Sequence, residues 1–304
     1  MKTKFDNLYA GLLFGSLFLC PQIQAGNPVT YSDKTPASVA TEAASWKENT
    51  ITPVANPVFF EDAIIRSEIR PFFAYHRIDD SFVTGGGHAE VYAVQLRYAI
   101  TDRLAFIATK DGYMDLNTPG IGDSEGWLDI AAGLKYALID DEANAFILTP
   151  GFTFEIPLGN SEVFQGEGSG EWNPFISAQK GFGNFHLQTN IGVRIPNDSD
   201  AKSTILHYSL QADYYLHRCF IPFVAANGYT VVSEGNKLPI DSEGYDVINF
   251  GSSQADGTTQ ITIGAGFRSR LTSHIDFGIA YEKAAATPKG LFDDRITVDF
   301  SIRF

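Results

Sequence analysis

Basic residues are scarce in this chain, cysteines scarcer still, and beyond Ala25 no apolar run approaches the length needed to cross a bilayer as a helix. Each shortage removes a class of function. With 22 Lys and Arg against 36 Asp and Glu, a net charge of −14, no basic cluster is present to displace counterions from a phosphate backbone, so nucleic acid is excluded as a partner. The two cysteines, Cys20 and Cys219, predict no disulfide framework, because the first lies in a segment expected to be removed. A bilayer-crossing helix needs about 20 apolar residues, so none is expected in the mature chain. What is plentiful is aromatic: 24 Phe and 13 Tyr, which favour pleated, half-covered surfaces and therefore β structure.

Chemical motifs are also few. The six histidines lack metal-ligand spacing, and the glycine-rich "GEGSGE" near Gly166 neither follows a buried strand nor opens a helix. No metal, cofactor or enzymatic activity is expected. One pair is weighed against that reading: His207 and Ser209, two residues apart on a predicted strand, share a face, as a hydrolytic pair would.

The N-terminus carries an address. Lys2 and Lys4 precede the apolar stretch from Leu8 to Cys20, and "IQA" ends at Ala25, which predicts a cleaved secretory signal over residues 1–25. Residues 26–66 predict either a periplasmic N-terminal segment or a plug entering a lumen. Residues 67–304 are expected to form the folded unit.

That unit reads as twelve alternating segments, beginning near Ser67, His88, Leu104, Trp127, Ala145, Glu171, Phe185, Ile205, Phe220, Thr258, His274 and Asp294. In the closing stretch "DRITVDFSIRF", Ile296, Val298, Phe300, Ile302 and Phe304 alternate with Arg295, Thr297, Asp299, Ser301 and Arg303. One face is wholly apolar and the other wholly polar, as a strand between lipid and water requires. "LAFIATKDGYM" and "FIPFVAANGYTVV" do not keep one phase, which predicts a bulge or a partly apolar lumen there. Junctions such as "TDR" and "GN" are tight, whereas alternate junctions are long. The fold class predicted is all-β: a transmembrane antiparallel up-and-down β-barrel of about twelve strands, with short periplasmic turns and long extracellular loops.

The stretches "SEIRPFFAYHRIDD", "LRYAITDRLAFIATKDGYMDLN", "IAAGLKYALIDD", "GEWNPFISAQKGFG", "RIPNDSD" and "LFDDRITVDFSIRF" resemble a family of bacterial proteins that are themselves similar to the outer-membrane barrels grouped around a phenol-degradation pathway. The resemblance spans nearly all of residues 68–304. It implies a barrel with a proposed channel role, and carries no catalytic motif. The final "FSIRF" resembles the recognition signal of barrels folded by the outer-membrane assembly machinery, which implies that role for Phe300, Ile302 and Phe304.

Phase assigns the lumen. The inward candidates are Arg70, Arg97, Asp129, Lys135, Glu155, Arg194, His207, Asp213, Arg268, Asp276, Glu282, Arg295, Asp299 and Arg303. His186, His217 and His274 are expected to join a polar interior, and Gly133, Gly192, Gly264, Gly266 and Gly278 to leave room for a narrow passage. The expected function is a narrow outer-membrane channel or transporter for small solutes. The alternatives are a non-conducting structural or surface-recognition barrel and, third, a lipid hydrolase. Expected partners are outer-membrane lipid and lipopolysaccharide, the barrel assembly machinery and small solutes. The stretch from Ser233 to Gly257 is expected to be exposed, and acidic loop residues, Glu243, Asp246 and Asp293 among them, to give a negative mouth.

Overall fold

The computed structural model describes residues 45–286 and 290–304; the predicted signal segment, residues 1–25, lies outside them. Fifteen strands follow one another: β1 (Glu68–Ile78), β2 (Gly87–Ala99), β3 (Leu104–Lys110), β4 (Gly112–Thr118), β5 (Gly122–Trp127), β6 (Ile130–Tyr136), β7 (Ile139–Asp141), β8 (Phe146–Ile156), β9 (Glu171–Phe182), β10 (Phe185–Pro196), β11 (Thr204–Tyr214), β12 (Ile221–Ser233), β13 (Thr259–Arg270), β14 (Ile275–Ala284) and β15 (Asp294–Arg303). All neighbours pair antiparallel, and β1 pairs with both β2 and β15, which closes the sheet on itself. A closed sheet has no edge, so every backbone amide within the membrane has a partner.

The fifteen strands make twelve barrel positions. β3 and β4 both pair with β2 and form one interrupted strand, while β5, β6 and β7 form the next. The interruption falls where the sequence loses its phase: the β3–β6 register slips between Ala108 and Lys110. The other out-of-phase stretch, β12, keeps regular pairing over most of its length. Its inward face is apolar, with Ile221, Phe223, Ala225, Tyr229 and Val231 buried. Both explanations offered by the sequence therefore apply, one to each stretch.

Outside, the wall is a band of exposed apolar side chains, among them Tyr92, Tyr98, Trp172, Leu210, Phe300, Ile302 and Phe304. An apolar exterior of this kind is stable only in lipid. Some expectations fail at the ends. The long junction expected before the segment near Trp127, "DLNTPGIGDSEG", is strand up to Thr118 and again from Gly122. His217 and His274 lie exposed in turns instead of in the lumen. Cys219 lies in the turn before β12.

Inside, the barrel is packed. Two stretches that are not strands occupy it. Residues 50–64 form a re-entrant segment whose two ends both lie at the end of the barrel where β1 begins and β15 finishes: the short 3-10 helix Trp46–Asn49 sits against Asp140 beside β7, and Ser67 leads into β1. From the opposite end, the loop between β12 and β13 folds inwards, and its residues 243–252 are buried. The stretch expected to be the most exposed is thus half internal, because "YDVINF" carries Tyr245, Val247, Ile248 and Phe250 into an apolar cluster with Val58 and Phe59 of the re-entrant segment.

Candidate functional site

Among the described residues, the interior of the barrel is where side chains concentrate chemistry, and strand alternation puts them there. Arg70, Arg97, Asp129, Lys135, Glu155, Arg194, His207, Asp213, Arg268, Asp276, Glu282, Arg295 and Asp299 are all buried at the inner wall, and Arg303 is partly so. They do not line an open bore. Each charge is paired.

At the end where β1 begins, Asp299 receives Arg70 Nε at 2.5 Å and both terminal nitrogens of Arg268 at 2.9 Å, and Asp276 receives Arg303 at 2.9 Å. At mid-depth, Glu61 of the re-entrant segment accepts from Arg97 at 2.6 Å and Lys135 at 2.7 Å, while Lys135 also reaches Asp62 at 3.1 Å. Higher up, Glu155 pairs with Lys110 at 2.9 Å and with Lys202 at 2.7 Å, and Glu171 pairs with Arg194 at 2.5 Å. Arg295 is shared between Glu282, at 2.7 Å, and Asp246 of the inward loop. The same Glu282 accepts the Asn56 backbone N–H at 3.1 Å. One carboxylate–guanidinium–carboxylate chain therefore ties the segment entering from one end to the loop entering from the other.

Electrostatics hold the segment in place. Burial pushes the Glu61 carboxyl up, but Arg97 and Lys135 outweigh it and hold the group at about 2. Asp246 is likewise raised by burial, yet Arg295 and His76 bring it to about 2. Apolar contact adds to this: the Phe59 ring lies under the Arg194 guanidinium at 4.7 Å and beside His207 at 5.1 Å. Backbone carbonyls complete the seat. Gln188 donates to Ile51 O, Ser177 to Glu61 O and Thr149 to Ala63 O.

The inward glycines do not leave a passage. A Cβ at Gly278 would meet Val54 of the segment at 2.7 Å, one at Gly192 would meet Phe175 at 2.8 Å, and one at Gly264 would meet Glu282 at 2.7 Å. They are small so that other side chains can lie over them. The inner wall is also not polar throughout. Phe72, Ala74, Val91, Ala93, Met114 and Leu116 face inwards into the apolar cluster, which corrects the division into an apolar outside and a polar inside. At the mouth, Glu243, Asp246 and Asp293 are buried, not part of a solvated rim.

His207 and Ser209 share the inner face but do not engage each other. His207 Nε2 donates to Asn173 Oδ1 at 2.8 Å, and Ser209 Oγ accepts from Asn56 at 3.1 Å. Sequence reasoning missed Glu61, Asp62, Lys110, Glu171, Lys202 and Asp246. A signal for three of them exists: adjacent acids inside the apolar run "VFFEDAII", and an acid inside "YDVINF", are costly unless the run meets cations in a closed space.

With this geometry established, solved structures give the comparison. The chain resembles the COG4313 outer membrane channel from Pseudomonas putida F1, with a TM-score of 0.58 and 16% identity over 84% of this chain and 100% of that one. It also resembles the NanC porin, with a TM-score of 0.51 and 9% identity over 78% of this chain and 100% of that one. The fold is that of outer-membrane barrels. This agrees with the resemblance read from the sequence and points to the outer membrane as the location. No family model and no curated protein sequence matches the chain.

Proposed function

We propose that the protein is a narrow outer-membrane channel for small solutes, held closed by its own residues 50–64 and by the inward loop between β12 and β13. One observation carries this reading. A barrel meant to be solid is filled by the side chains of its wall. Here the wall presents Gly278, Ala225 and Ala280 inwards, and the space over them is taken by Ile51, Val54 and Ala55 of a segment that forms no strand and makes no β-ladder with the wall. A filling held by side-chain contacts leaves as a unit; a ladder does not. The buried, mutually unengaged His207 and Ser209 weigh against lipid hydrolysis and for a non-enzymatic role. Export by a signal over residues 1–25, insertion through Phe300, Ile302 and Phe304, and contact with lipopolysaccharide belong to the same proposal.

The test is single-channel conductance of refolded protein. In the variant Glu61→Gln with Asp62→Asn, Lys135 loses both counter-charges and Arg97 keeps only Glu68, at 3.4 Å, and breaking a buried pair costs about 3–5 kcal/mol. The wall ladders stay intact. Openings should be rare in the native protein and at least tenfold more frequent in the variant; equal, absent conductance in both would favour a structural barrel instead.

A further inference from the structure

One part of the inner wall differs from the rest. On β9, β10 and β11 the register places Gln188 directly opposite Gln179 on one side and Gln211 on the other, so three glutamines form a row across adjacent strands. All three are buried. Neither the oxygen nor the nitrogen of the Gln179 and Gln211 amides has a hydrogen-bond partner among the described residues, and Gln188 Oε1 has none either. The rows on either side continue the chemistry. Asn190 stands opposite Ser177 and Ser209, and His186 stands opposite Gly181 and Asp213.

Buried amides without partners are costly, and a folded protein keeps them where something else supplies the bonds. Gln179 and Gln211 each offer two donors and an acceptor, and Gln188 its oxygen alone, because its nitrogen donates to Ile51 O and to Asp213 Oδ2, so the complementary molecule must both accept and donate. It must also be uncharged. Asp213, the formal charge beside the row, is already taken up by His186 Nδ1 at 2.8 Å and Gln188 Nε2 at 2.9 Å, so an ion entering here would be desolvated without a free counter-charge. The residues beside the row, Gly181 and Ala225, are small.

We propose that the row Gln179, Gln188 and Gln211 is a binding site for a small neutral solute bearing hydroxyl or amide groups, lying on the wall beside residues 50–64. This deepens the channel reading and rests on it for transport, though not for binding. It makes the lumen two-sided: a charged half that holds the gate and a neutral amide half that the solute follows.

The experiment uses the full chain and erythritol as the probe. In proteoliposomes, the variant Gln179→Met with Gln211→Met keeps side-chain length and removes the hydrogen bonds. Erythritol-driven swelling should fall at least fivefold, while conductance in potassium chloride stays within twofold. Where the native protein swells, an unchanged rate in the variant, or an equal fall in both, overturns the site. Binding is read separately from the emission of Trp46, whose ring lies 6.4 Å from that of His186, in a background of Trp127→Phe and Trp172→Phe. A saturable response to erythritol that the double Met variant lacks supports the site even if no current or swelling is seen, which is the result that removes the channel reading alone. A response that is absent, or identical in the variant, means that the amides hold water only and overturns the proposal.

Discussion

Asp299 holds two arginines from different strands, Arg70 on β1 and Arg268 on β13, and is itself fully enclosed. Replacing it by alanine leaves two guanidinium groups buried without a counter-charge. The expected loss is about 3–5 kcal/mol, read as a lower midpoint of unfolding in denaturant, with Asp299→Asn falling between the two. Glu61 gives the pH behaviour. Its docked value of about 2 lies below its ordinary 4.5, so ionisation favours docking at all pH above 4.5, and this contribution is lost only as pH falls from 4.5 towards 2. Asp246 behaves alike, between 3.8 and about 2. Acidification from pH 7 to pH 5 should therefore leave the opening frequency unchanged. A rise over that interval would assign gating to another group. At this scale parity along a strand is local and can be read from the sequence, but it does not extend past the strand ends, where His217 and His274 lie exposed. It did not tell who meets whom: Arg70 and Asp299 are 229 positions apart, and nothing local encodes that encounter.

Among the elements, the strands were legible and the two insertions were not. Strand phase repeats every two residues and survives composition noise, whereas a stretch that folds into a cavity is set by the shape of the cavity. Positions 233–257 read as loop because Gly235, Pro239, Gly244 and Gly251 punctuate them. Tyr245 sits there at φ 62°, a left-handed conformation unusual for so large a residue, and is fully buried. The expected consequence is a contrast within one loop. A cysteine at exposed Asn236 should react with a membrane-impermeant thiol reagent on intact cells within minutes, while one at buried Val247 should not. In the Glu61→Gln, Asp62→Asn variant, the Val247 cysteine should begin to react if the loop follows the segment through Asn56, Glu282, Arg295 and Asp246. Reaction of both positions in the native background would show that the loop stands outside.

On the channel reading proposed above, the outer surface of the whole molecule decides insertion and the outer charges decide selectivity. Placing Asp at both Phe300 and Phe304 puts charge on the lipid face, at about 2–4 kcal/mol each at mid-depth and less near the rim, and should abolish the heat-modifiable folded band in gels. Exposed Asp80, Glu162, Asp200, Glu234, Asp241 and Asp256 keep the mouth negative even without the three buried acids. In the opened variant, the reversal potential under a salt gradient should show weak cation preference at low salt that fades as salt rises, because these charges act over about 8 Å at physiological ionic strength. Strong anion preference would place selectivity with the inner arginines.

The re-entrant segment also imposes an order of events in time. It precedes β1 directly, and β1 forms the seam with β15, the first strand of the wall with the last. Once that seam zips, residues 50–64 have both ends tethered at one rim and must already have folded back, or else thread into a narrow, half-filled cylinder. Seam closure therefore waits on a short piece of chain finding its seat, so assembly should show a late step whose rate, unlike that of strand pairing, falls when Phe59 is truncated to alanine.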